Sequence, residues 1–332
     1  MSRQGALDAH ERQRSAQAPV AAHAAHGTAS GREGEQCVEQ QLSAEVISVV
    51  DILSMGDRSN LSNVEGSHVQ VIEQDLTNYE RVSQLIAKHS VDVVIHLAVT
   101  PLVYSLVEPV VGYDHIVAMQ QNLLECQRKG LFQRLISFST SEVYGGMAGR
   151  DVITEESPLN PATPYAAAKA SADLLALSYV NSFDLDVTIV RPFNNYGPRK
   201  KVLKRAGIIP TVIRNLSRGL PVQLYGGGVA SRDFVYVEDT VQAVLKVVSG
   251  ENLSGEVLHV ASGESRSMRD VIFDVARLMD VEPIVEDLPA RQGDVASLRG
   301  SMDKTKSLID YAPATTWEDG LKRCIEYYSR VC

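Results

Sequence analysis

Short apolar runs alternate with helical patterns along the middle of the chain. The runs predict strands at Val46–Val50, Val69–Ile72, Val91–Leu97, Leu135–Phe138 and Val187–Val190. Apolar residues at helical spacing lie between them and predict helices such as 78–89 and 117–129. Near-continuous apolar strands that alternate with helices indicate a parallel sheet covered on both faces. The pattern therefore predicts an α/β fold with a doubly wound, Rossmann-like parallel sheet.

The two ends of the chain break this alternation. The first 30 residues are rich in Ala, Gln, His, Ser and Arg and have little apolar periodicity, which predicts a poorly ordered segment. Beyond residue 198 glycines and longer loops become common, and a last helix pair is predicted at Met268–Met279 and Glu318–Tyr328. The predicted divisions are 1–30, 31–198 and a smaller C-terminal region at 199–332.

Composition and charge narrow the possible functions. The 332 residues are 44% hydrophobic and 22% charged, as in ordinary globular proteins. A net charge of -9 argues against a surface that attracts nucleic acid or anionic membranes. A phosphate-bearing ligand would therefore need a local basic cluster. No apolar run reaches the roughly 18 residues of a membrane span, and the four scattered cysteines suggest neither a disulfide framework nor a zinc site. A cytoplasmic protein without a metal centre is expected.

A tyrosine and a lysine stand one helical turn apart in the segment Pro164–Lys169. A helix from here to about Tyr179 puts Tyr165 and Lys169 on one face. A tyrosine with a pKa of about 10 is a poor base at pH 7, but a nearby ammonium stabilises the phenolate and lowers that pKa. Tyr165 is therefore a candidate to take a proton from a hydroxyl group. A strand ending in Ser139–Gly145 lies upstream, and this combination is more specific than the spacing alone.

From about Val46 to Tyr328 the chain resembles the extended short-chain dehydrogenase/reductase superfamily, in its NAD-dependent epimerase/dehydratase group. The ordered segments that carry the resemblance are Val50–Ser54, His96–Ala98, Ser139–Gly145, Tyr165 with Lys169, Arg191–Pro198 and Arg232–Asp239. The resemblance implies that 31–198 is an NAD-binding Rossmann-like domain with the catalytic residues. It implies that 199–332 mainly binds a nucleotide sugar.

The resemblance also assigns cofactor contacts. Asp51, at a strand end, would accept hydrogen bonds from the adenosine ribose and so favour NAD over NADP, while Asp75 would lie beside the adenine. Both carboxylates could instead be plain strand-end caps. Lys169 would hold the nicotinamide ribose, together with Tyr165. The remaining cofactor contacts implied by matching segments are Gly31, Gly34, Leu97, Ala98 and Pro192.

On the substrate side, Thr140 would hydrogen-bond O4 of the sugar beside Tyr165. The implied substrate contacts are Tyr104, Asn194, Arg232 and Arg299. The two arginines are candidates for the diphosphate because their fork binds phosphate oxygens in bidentate fashion. Each arginine could equally be a solvated surface charge, and Tyr104 could equally be a packing residue.

The glycine-rich loop that should hold the pyrophosphate departs from the family pattern. In the nearest segment, Gly27–Gly34, Gly31 and Gly34 keep the spacing of the second and third glycines, but the first two positions are reversed. Glu33 opposes phosphate binding at a helix N-terminus, and Val20–His26 is a poor core strand. Either cofactor binding is impaired, or the reading frame is shifted upstream of the first predicted strand. A further departure is Ile116, where the family usually has Asn.

The expected chemistry begins with oxidation at C4 of the sugar, after which several outcomes are open. A 4,6-dehydratase needs an acid for the departing 6-hydroxyl and a base at C5, for which the family uses Asp-Glu directly after the Thr. Here Ser141 and Glu142 stand there, so the base is kept and the acid is not. A decarboxylase needs no such acid, because a 4-keto uronate is a β-keto acid and loses CO2 readily.

Two segments resemble UDP-glucuronate decarboxylases and UDP-apiose synthases. They are the triplet Thr140–Glu142 and the stretch Ala98–Tyr104. The segment Arg191–Gly197 resembles dehydratases and epimerases as much, and Arg299 is one residue out of register for a carboxylate partner. Decarboxylation of a UDP-hexuronate is therefore the first hypothesis, with 4,6-dehydration and 4-epimerisation as alternatives. A non-catalytic relative that cannot hold NAD is the alternative of another class.

Overall fold

The computed structural model describes residues 20–23, 46–53, 58–61, 66, 68–146, 152–200, 207–290 and 297–331. The strands are β1 Val20–His23, β2 Ile47–Asp51, β3 Val69–Glu73, β4 Val93–His96, β5 Arg134–Phe138, β6 Asp186–Pro192, β7 Asn194–Tyr196, β8 Val222–Tyr225, β9 Ser231–Tyr236, β10 Val257–Val260, β11 Ser265–Ser267 and β12 Val285–Leu288. The helices are α1 Tyr79–His89, α2 Leu102–Ser105, α3 Pro109–Arg128, α4 Pro164–Phe183, α5 Ile208–Ser217, α6 Val237–Ser249, α7 Met268–Leu278, α8 Asp303–Ile309 and α9 Trp317–Val331.

A seven-stranded sheet forms the centre of the fold. Its strand order is β10-β6-β5-β4-β1-β2-β3, and each pair is parallel. The chain moves outwards from β1 to β3, then crosses back to β4 and continues the other way. This reversal between β1 and β4 is the switch point of a doubly wound sheet, so the predicted fold class is confirmed.

Both faces of this sheet are apolar, which explains why the strands are nearly continuous apolar runs. Val94 and Leu135 pack on one face with the core of α1, α3 and α4. Their neighbours Ile95 and Ile136 pack on the other face with α6 and β10. Successive side chains of a strand point to opposite faces, so a strand covered by helices on both sides is apolar at most positions.

The N-terminal strand differs from the sequence expectation. Val20–His23 lies inside the sheet as β1, paired with β2 on one side and β4 on the other. The composition of Val20–His26 is poor for a core strand, but Val20–His23 pairs along its backbone with a neighbouring strand on each side. The expectation of a poorly ordered segment otherwise falls on residues outside those that the structure describes.

Residues on both sides of position 198 build the large sheet. β10 pairs with β6 in parallel, although it belongs to the C-terminal part of the chain. The rest of this part forms a three-stranded sheet, β11-β9-β7, and a two-stranded sheet, β12-β8. A second core of α5, α7 and α9 with these strands lies beside the large sheet. The C-terminal region is thus interleaved with the main sheet through β10.

Candidate active site

The residues singled out in the main sheet lie at its carboxyl edge. Asp51 ends β2, Leu97 follows β4, Thr140 comes two residues after β5, and Pro192 ends β6. Because the strands are parallel, these positions meet at one edge, next to the reversal of strand order. This is where open α/β sheets bind their ligands.

A one-turn helix carries the predicted catalytic triplet. The 3-10 helix Ser141–Tyr144 begins directly after Thr140, and the Thr140 hydroxyl oxygen accepts a hydrogen bond from the Glu142 N–H at 3.3 Å. The hydroxyl proton of Thr140 therefore remains for donation to another group. Ser141 is buried, while Thr140 and Glu142 are half-buried.

Helix α4 presents the tyrosine and the lysine to the same place. Thr163 caps the helix by accepting from the Ala166 N–H at 3.2 Å, and Pro164 occupies the first helical position. Tyr165 lies in the first turn and Lys169 in the second. The Lys169 ammonium is buried and donates to the Phe138 carbonyl, the last residue of β5, at 2.7 Å.

Thr140 lies close enough to Tyr165 for its side chain to act on the Tyr165 hydroxyl. Burial raises the pKa of Tyr165 above its usual value, the negative Glu142 raises it further, and the Thr140 side chain lowers it. This direction is opposite to that expected from the Tyr165–Lys169 spacing. Loss of water around the phenolate is the largest cause. Burial also lowers the pKa of Lys169 to about 8.

A buried ion pair beneath these residues was not singled out from the sequence. Asp173 lies one turn after Lys169 on α4, and its carboxylate accepts from the Arg191 Nε at 2.9 Å and the Ser139 hydroxyl at 2.7 Å. Asp173 and Arg191 are both almost fully buried. The four-residue spacing of Lys169 and Asp173 was a signal available in the sequence. The pairing with Arg191 was not.

The proposed cofactor carboxylates already cap their own turns. Asp51 accepts from the Leu53 N–H at 2.7 Å, and the exposed Asp75 accepts from the N–H and hydroxyl of Thr77, both at 2.8 Å. Each carboxylate keeps further acceptor sites, so capping and ligand binding are compatible. Leu97 and Ala98 are half-buried after β4. Gly31 and Gly34 lie outside the described residues.

The donor set that is described fits an NAD at the carboxyl edge. Asp51 ends the strand next to β1, where an adenosine ribose binds in doubly wound sheets. Lys169 and Pro192 lie farther along the same edge, on the other side of the reversal. Asp51 on one side of the reversal suits the adenosine ribose of a dinucleotide, and Lys169 on the other side suits its second ribose.

A local basic cluster lies in the C-terminal region, as a phosphate ligand would need. Arg232 in β9 stands opposite Arg266 in β11. Arg299 follows a bridge to the start of β9, and its Nε donates to the Gly263 carbonyl at 2.8 Å. Arg266 also pairs with Glu264 at 2.6 Å, which offsets part of its charge.

The segment carrying Arg299 reaches the edge of the main sheet. A Cβ on Gly300 would lie 2.6 Å from the Phe193 ring and 2.7 Å from Ala261, so this segment passes directly against the ends of β6 and β10. Asn194, half-buried in β7, lies beyond the same end of β6. Tyr104 is 44% exposed on α2, which follows the end of β4.

Ile116 is buried against the catalytic helix. It packs with Ala168 and Ala172, and Tyr165 and Val99 are partly buried around the same cluster. An apolar side chain therefore packs beside Tyr165 where the resemblance leads one to expect an amide.

Two classes of site are absent from the part of the chain that the structure describes. No group of three His, Cys, Asp or Glu side chains there could hold a metal ion. No helix among the described residues has the length and apolar content needed to cross a membrane.

Comparisons with known proteins agree on one family. The sequence model of the NAD dependent epimerase/dehydratase family matches residues 29–261. A dTDP-glucose 4,6-dehydratase of Mycobacterium tuberculosis is 34% identical over 294 residues, covering 86% of this chain and 85% of the relative. The UDP-glucose 4-epimerase of Thermotoga maritima, solved with UDP-glucose, is 26% identical with a TM-score of 0.86 and covers 94% of this chain and 99% of its own. DesIV, a dTDP-glucose 4,6-dehydratase from Streptomyces venezuelae solved with NAD and TYD, is 28% identical with a TM-score of 0.84, covering 94% and 97%.

Proposed function

The chain belongs to the NAD-dependent epimerase/dehydratase family, and from that premise we propose that it is an enzyme that reworks the sugar of a nucleotide sugar through transient oxidation at C4. The observation that carries this proposal is the proximity of Thr140 to Tyr165, with Lys169 one turn away on the same helix. A hydroxyl pair backed by a buried ammonium is suited to bind and deprotonate a sugar hydroxyl.

We propose that NAD binds along the carboxyl edge of the main sheet. Asp51 would accept from the adenosine ribose, and Lys169 would hold the nicotinamide ribose. A bound NAD would supply the hydride acceptor for C4 and the hydride donor for the end of the reaction. Thr140 would donate to O4, and Tyr165 would remove the O4 proton. Burial raises the pKa of Tyr165, and a charged Lys169 one turn away on the helix would favour its phenolate.

Among the possible outcomes we place 4,6-dehydration first. The Glu142 carboxylate acts on the pKa of Tyr165, so a carboxylate base lies close to the group that removes the O4 proton. The relative with 34% identity is a 4,6-dehydratase. The buried hydroxyl of Ser141 cannot act as the leaving-group acid. Glu142 would therefore take the C5 proton and pass it to the departing 6-hydroxyl, which leaves as water and gives a C5–C6 double bond.

The second candidate is 4-epimerisation. It needs only Thr140, Tyr165 and Lys169, and no acid at position 141. The structural match to a UDP-glucose 4-epimerase favours this reading. Decarboxylation of a UDP-hexuronate rests on the resemblance of the triplet Thr140–Glu142 and the stretch Ala98–Tyr104, and it stays a prediction from the sequence.

Product analysis tests the proposal and separates these outcomes. Purified protein supplied with NAD is incubated separately with dTDP-glucose, UDP-glucose, UDP-glucuronate and UDP-N-acetylglucosamine, and the products are examined by mass spectrometry and NMR. Loss of water with a 4-keto-6-deoxy sugar supports dehydration, an unchanged mass with inverted C4 supports epimerisation, and release of CO2 with a pentose supports decarboxylation. No product from any of the four substrates contradicts the proposed function.

Cofactor content separates an enzyme from a non-catalytic relative. NAD is quantified by mass spectrometry after denaturation of the purified protein, and by titration with added NAD and NADH. A chain that neither retains nor binds either form would favour the non-catalytic relative.

We also propose that the protein is a homodimer in which α3 and α4 of each copy pack together. Val110 and Tyr113 of α3 and Leu174 of α4 are exposed apolar side chains. Tyr113 donates to Ser171 at 3.0 Å, so these helices share one outer face. An exposed apolar face of two long helices is suited to a two-fold interface.

A further inference from the structure

A buried carboxylate lies directly beneath the proposed catalytic residues. Asp173 follows Lys169 by one turn of α4 and is 2% exposed. One of its oxygens accepts both from the Ser139 hydroxyl at 2.7 Å and from the Arg191 Nε at 2.9 Å. A charge at this depth is costly unless it is paired and hydrogen-bonded, so its presence needs a reason.

The carboxylate joins the elements that carry the proposed active site. Ser139 precedes Thr140 at the end of β5, and Arg191 precedes Pro192 at the end of β6. Helix α4 carries Tyr165 and Lys169. Asp173 thus ties three elements together at the level just below the reacting groups.

The network extends to the one-turn helix of the triplet. Arg191 Nη1 donates to the Tyr144 hydroxyl at 2.7 Å, and the same hydroxyl oxygen is hydrogen-bonded to the His259 Nε2 at 2.6 Å. Tyr144 ends the helix that begins at Ser141. Arg191 therefore stabilises both Asp173 and the segment that presents Glu142.

The charges around Lys169 are few and specific. Its ammonium donates to a neutral carbonyl, that of Phe138. Asp173 acts on the pKa of Lys169, Glu142 on the one-turn helix and Asp173 act on the pKa of Tyr165, and Arg191 on β6 acts on the pKa of Asp173. Burial lowers the pKa of Lys169, and Asp173 raises it. Among these groups Asp173 is thus the one that acts on the lysine.

We propose that Asp173 is a positioning residue: its buried carboxylate, held by Arg191 and Ser139 and placed one turn of α4 after Lys169, supplies the negative charge that holds the Lys169 ammonium beside Tyr165. This inference rests on the proposed function for its link to turnover. The interaction between Asp173 and Lys169 involves only residues of the chain and can be tested without substrate.

The first test is the pH dependence of turnover in Asp173→Asn and Arg191→Met. In Asp173→Asn the carboxylate is lost and Arg191 remains as a second buried cation. Lys169 therefore loses its proton at lower pH, and the alkaline limb of the kcat–pH profile shifts to lower pH. We expect turnover at pH 8 relative to pH 6.5 to fall at least ~5-fold below the wild-type ratio. Arg191→Met removes the cation that lowers the pKa of Asp173, so this carboxylate takes up a proton more easily and the limb also moves to lower pH. A purely structural role would lower kcat without moving the limb.

Ser139→Ala is the matched control, because it removes a neutral donor to Asp173 without changing any charge. We expect its alkaline limb to stay at the wild-type pH, whatever its total activity. If Ser139→Ala shifts the limb as much as Asp173→Asn, or if Asp173→Asn leaves it unmoved, the proposal is overturned.

The second test needs no activity. In wild type and Asp173→Asn without NAD, labelled with [13Cε]lysine, the Lys169 signal is assigned by its loss in Lys169→Met and followed with pH. A lower Lys169 pKa in Asp173→Asn than in wild type supports the proposal, and an unchanged one overturns it. A Lys169 that is neutral at pH 7 in wild type overturns it even if the Asp173 and Arg191 variants do not fold. Absence of turnover with every nucleotide sugar would instead count against the proposed function alone.

Discussion

At the scale of single residues, two independent local structures bring Thr140 and Tyr165 together. Thr140 is fixed as the cap of a one-turn helix at the end of β5. Tyr165 is fixed in the first turn of α4, whose start is set by the cap of Thr163 and by Pro164. Because both positions are determined by strong helix-start signals, their meeting does not depend on a flexible loop.

Replacing Tyr165 with Phe removes the proposed base and the partner of the Thr140 hydroxyl. We expect kcat to fall at least ~100-fold, the lower range for loss of a general base, while binding of the nucleotide sugar measured by calorimetry stays within about twofold. Tyr179→Phe is the matched control, since Tyr179 lies on the same helix and donates to Glu125 at 2.7 Å. Near-normal turnover of Tyr165→Phe would contradict the assigned role.

Replacing Glu142 with Gln distinguishes dehydration from epimerisation. If Glu142 is the base at C5, the variant still oxidises C4 but forms dehydration product at least ~100-fold more slowly. The measurement is product formation together with deuterium exchange at C5 in D2O. A 4-epimerase would instead keep its product rate, because it needs no C5 base. Glu156→Gln changes an exposed acid of the same type and is expected to leave both readouts unchanged.

The sequence predicts the placement of the proposed catalytic residues better than it predicts their electrostatics. Tyr165 and Lys169 follow from local spacing, because helix geometry puts them on one face, whereas Thr140 is implied by the family resemblance. The pKa of Tyr165 depends on burial by distant parts of the chain, and its direction was predicted wrongly. The Asp173–Arg191 pair joins two elements through tertiary packing, which no local pattern encodes.

At the scale of elements, apolar runs located strands β2 to β6 to within a few residues. The start of α3, by contrast, was missed. The predicted helix begins at Val117, but α3 begins at Pro109. Pro109 and Gly112 are typical of loops, yet Pro is favoured in the first helical turn. A Cβ on Gly112 would lie 2.5 Å from the Ser105 Oγ, so this glycine allows α2 to approach α3 closely. Such a contact is invisible in a local pattern.

The junction around Asp233 is an element-scale feature that predicts a stability effect. One oxygen of this buried carboxylate accepts from the N–H and the hydroxyl of Ser262, both at 2.7 Å. The other accepts from the N–H groups of Gly263 at 3.0 Å and Gly300 at 3.1 Å. Asp233 thus ties β9 to the loop after β10 and to the segment that carries Arg299.

Asp233→Asn should lower the free energy of unfolding by about 2 kcal/mol, because its NH2 group faces either the N–H groups of Gly263 and Gly300 or the N–H group of Ser262, and these donors lose their acceptor. Chemical denaturation measures this, with Asp280→Asn as control. Asp280 is exposed, has a positive φ that Asn tolerates, and should change stability by less than about 0.5 kcal/mol. Equal stability of Asp233→Asn and wild type would show that the four hydrogen bonds do not hold the junction.

At the scale of the whole molecule, five strands of the parallel sheet were predictable from apolar runs, whereas β1 and β10 were not. Alternating strands and helices allow few topologies, so the doubly wound order follows from the pattern. β10 pairs with β6 from the C-terminal part, where strands and loops give no periodic signal. The basic cluster around Arg232 likewise forms only when β9, β11 and the Arg299 segment meet, against a net charge of -9.

The last prediction concerns assembly through α3 and α4. In a two-fold interface built on this face, a residue near the axis meets its own copy, so a new charge repels itself and loses water on burial. Leu174 is 58% exposed on α4, and Leu174→Arg should convert a dimer into a monomer at micromolar concentration, measured by light scattering after size exclusion. Val229→Arg is the matched control, since Val229 is 81% exposed after the turn Gly226–Gly228, away from both helices, and its variant should remain dimeric. A monomeric wild type, or a Leu174→Arg variant that stays dimeric, would show that these two helices do not form the interface.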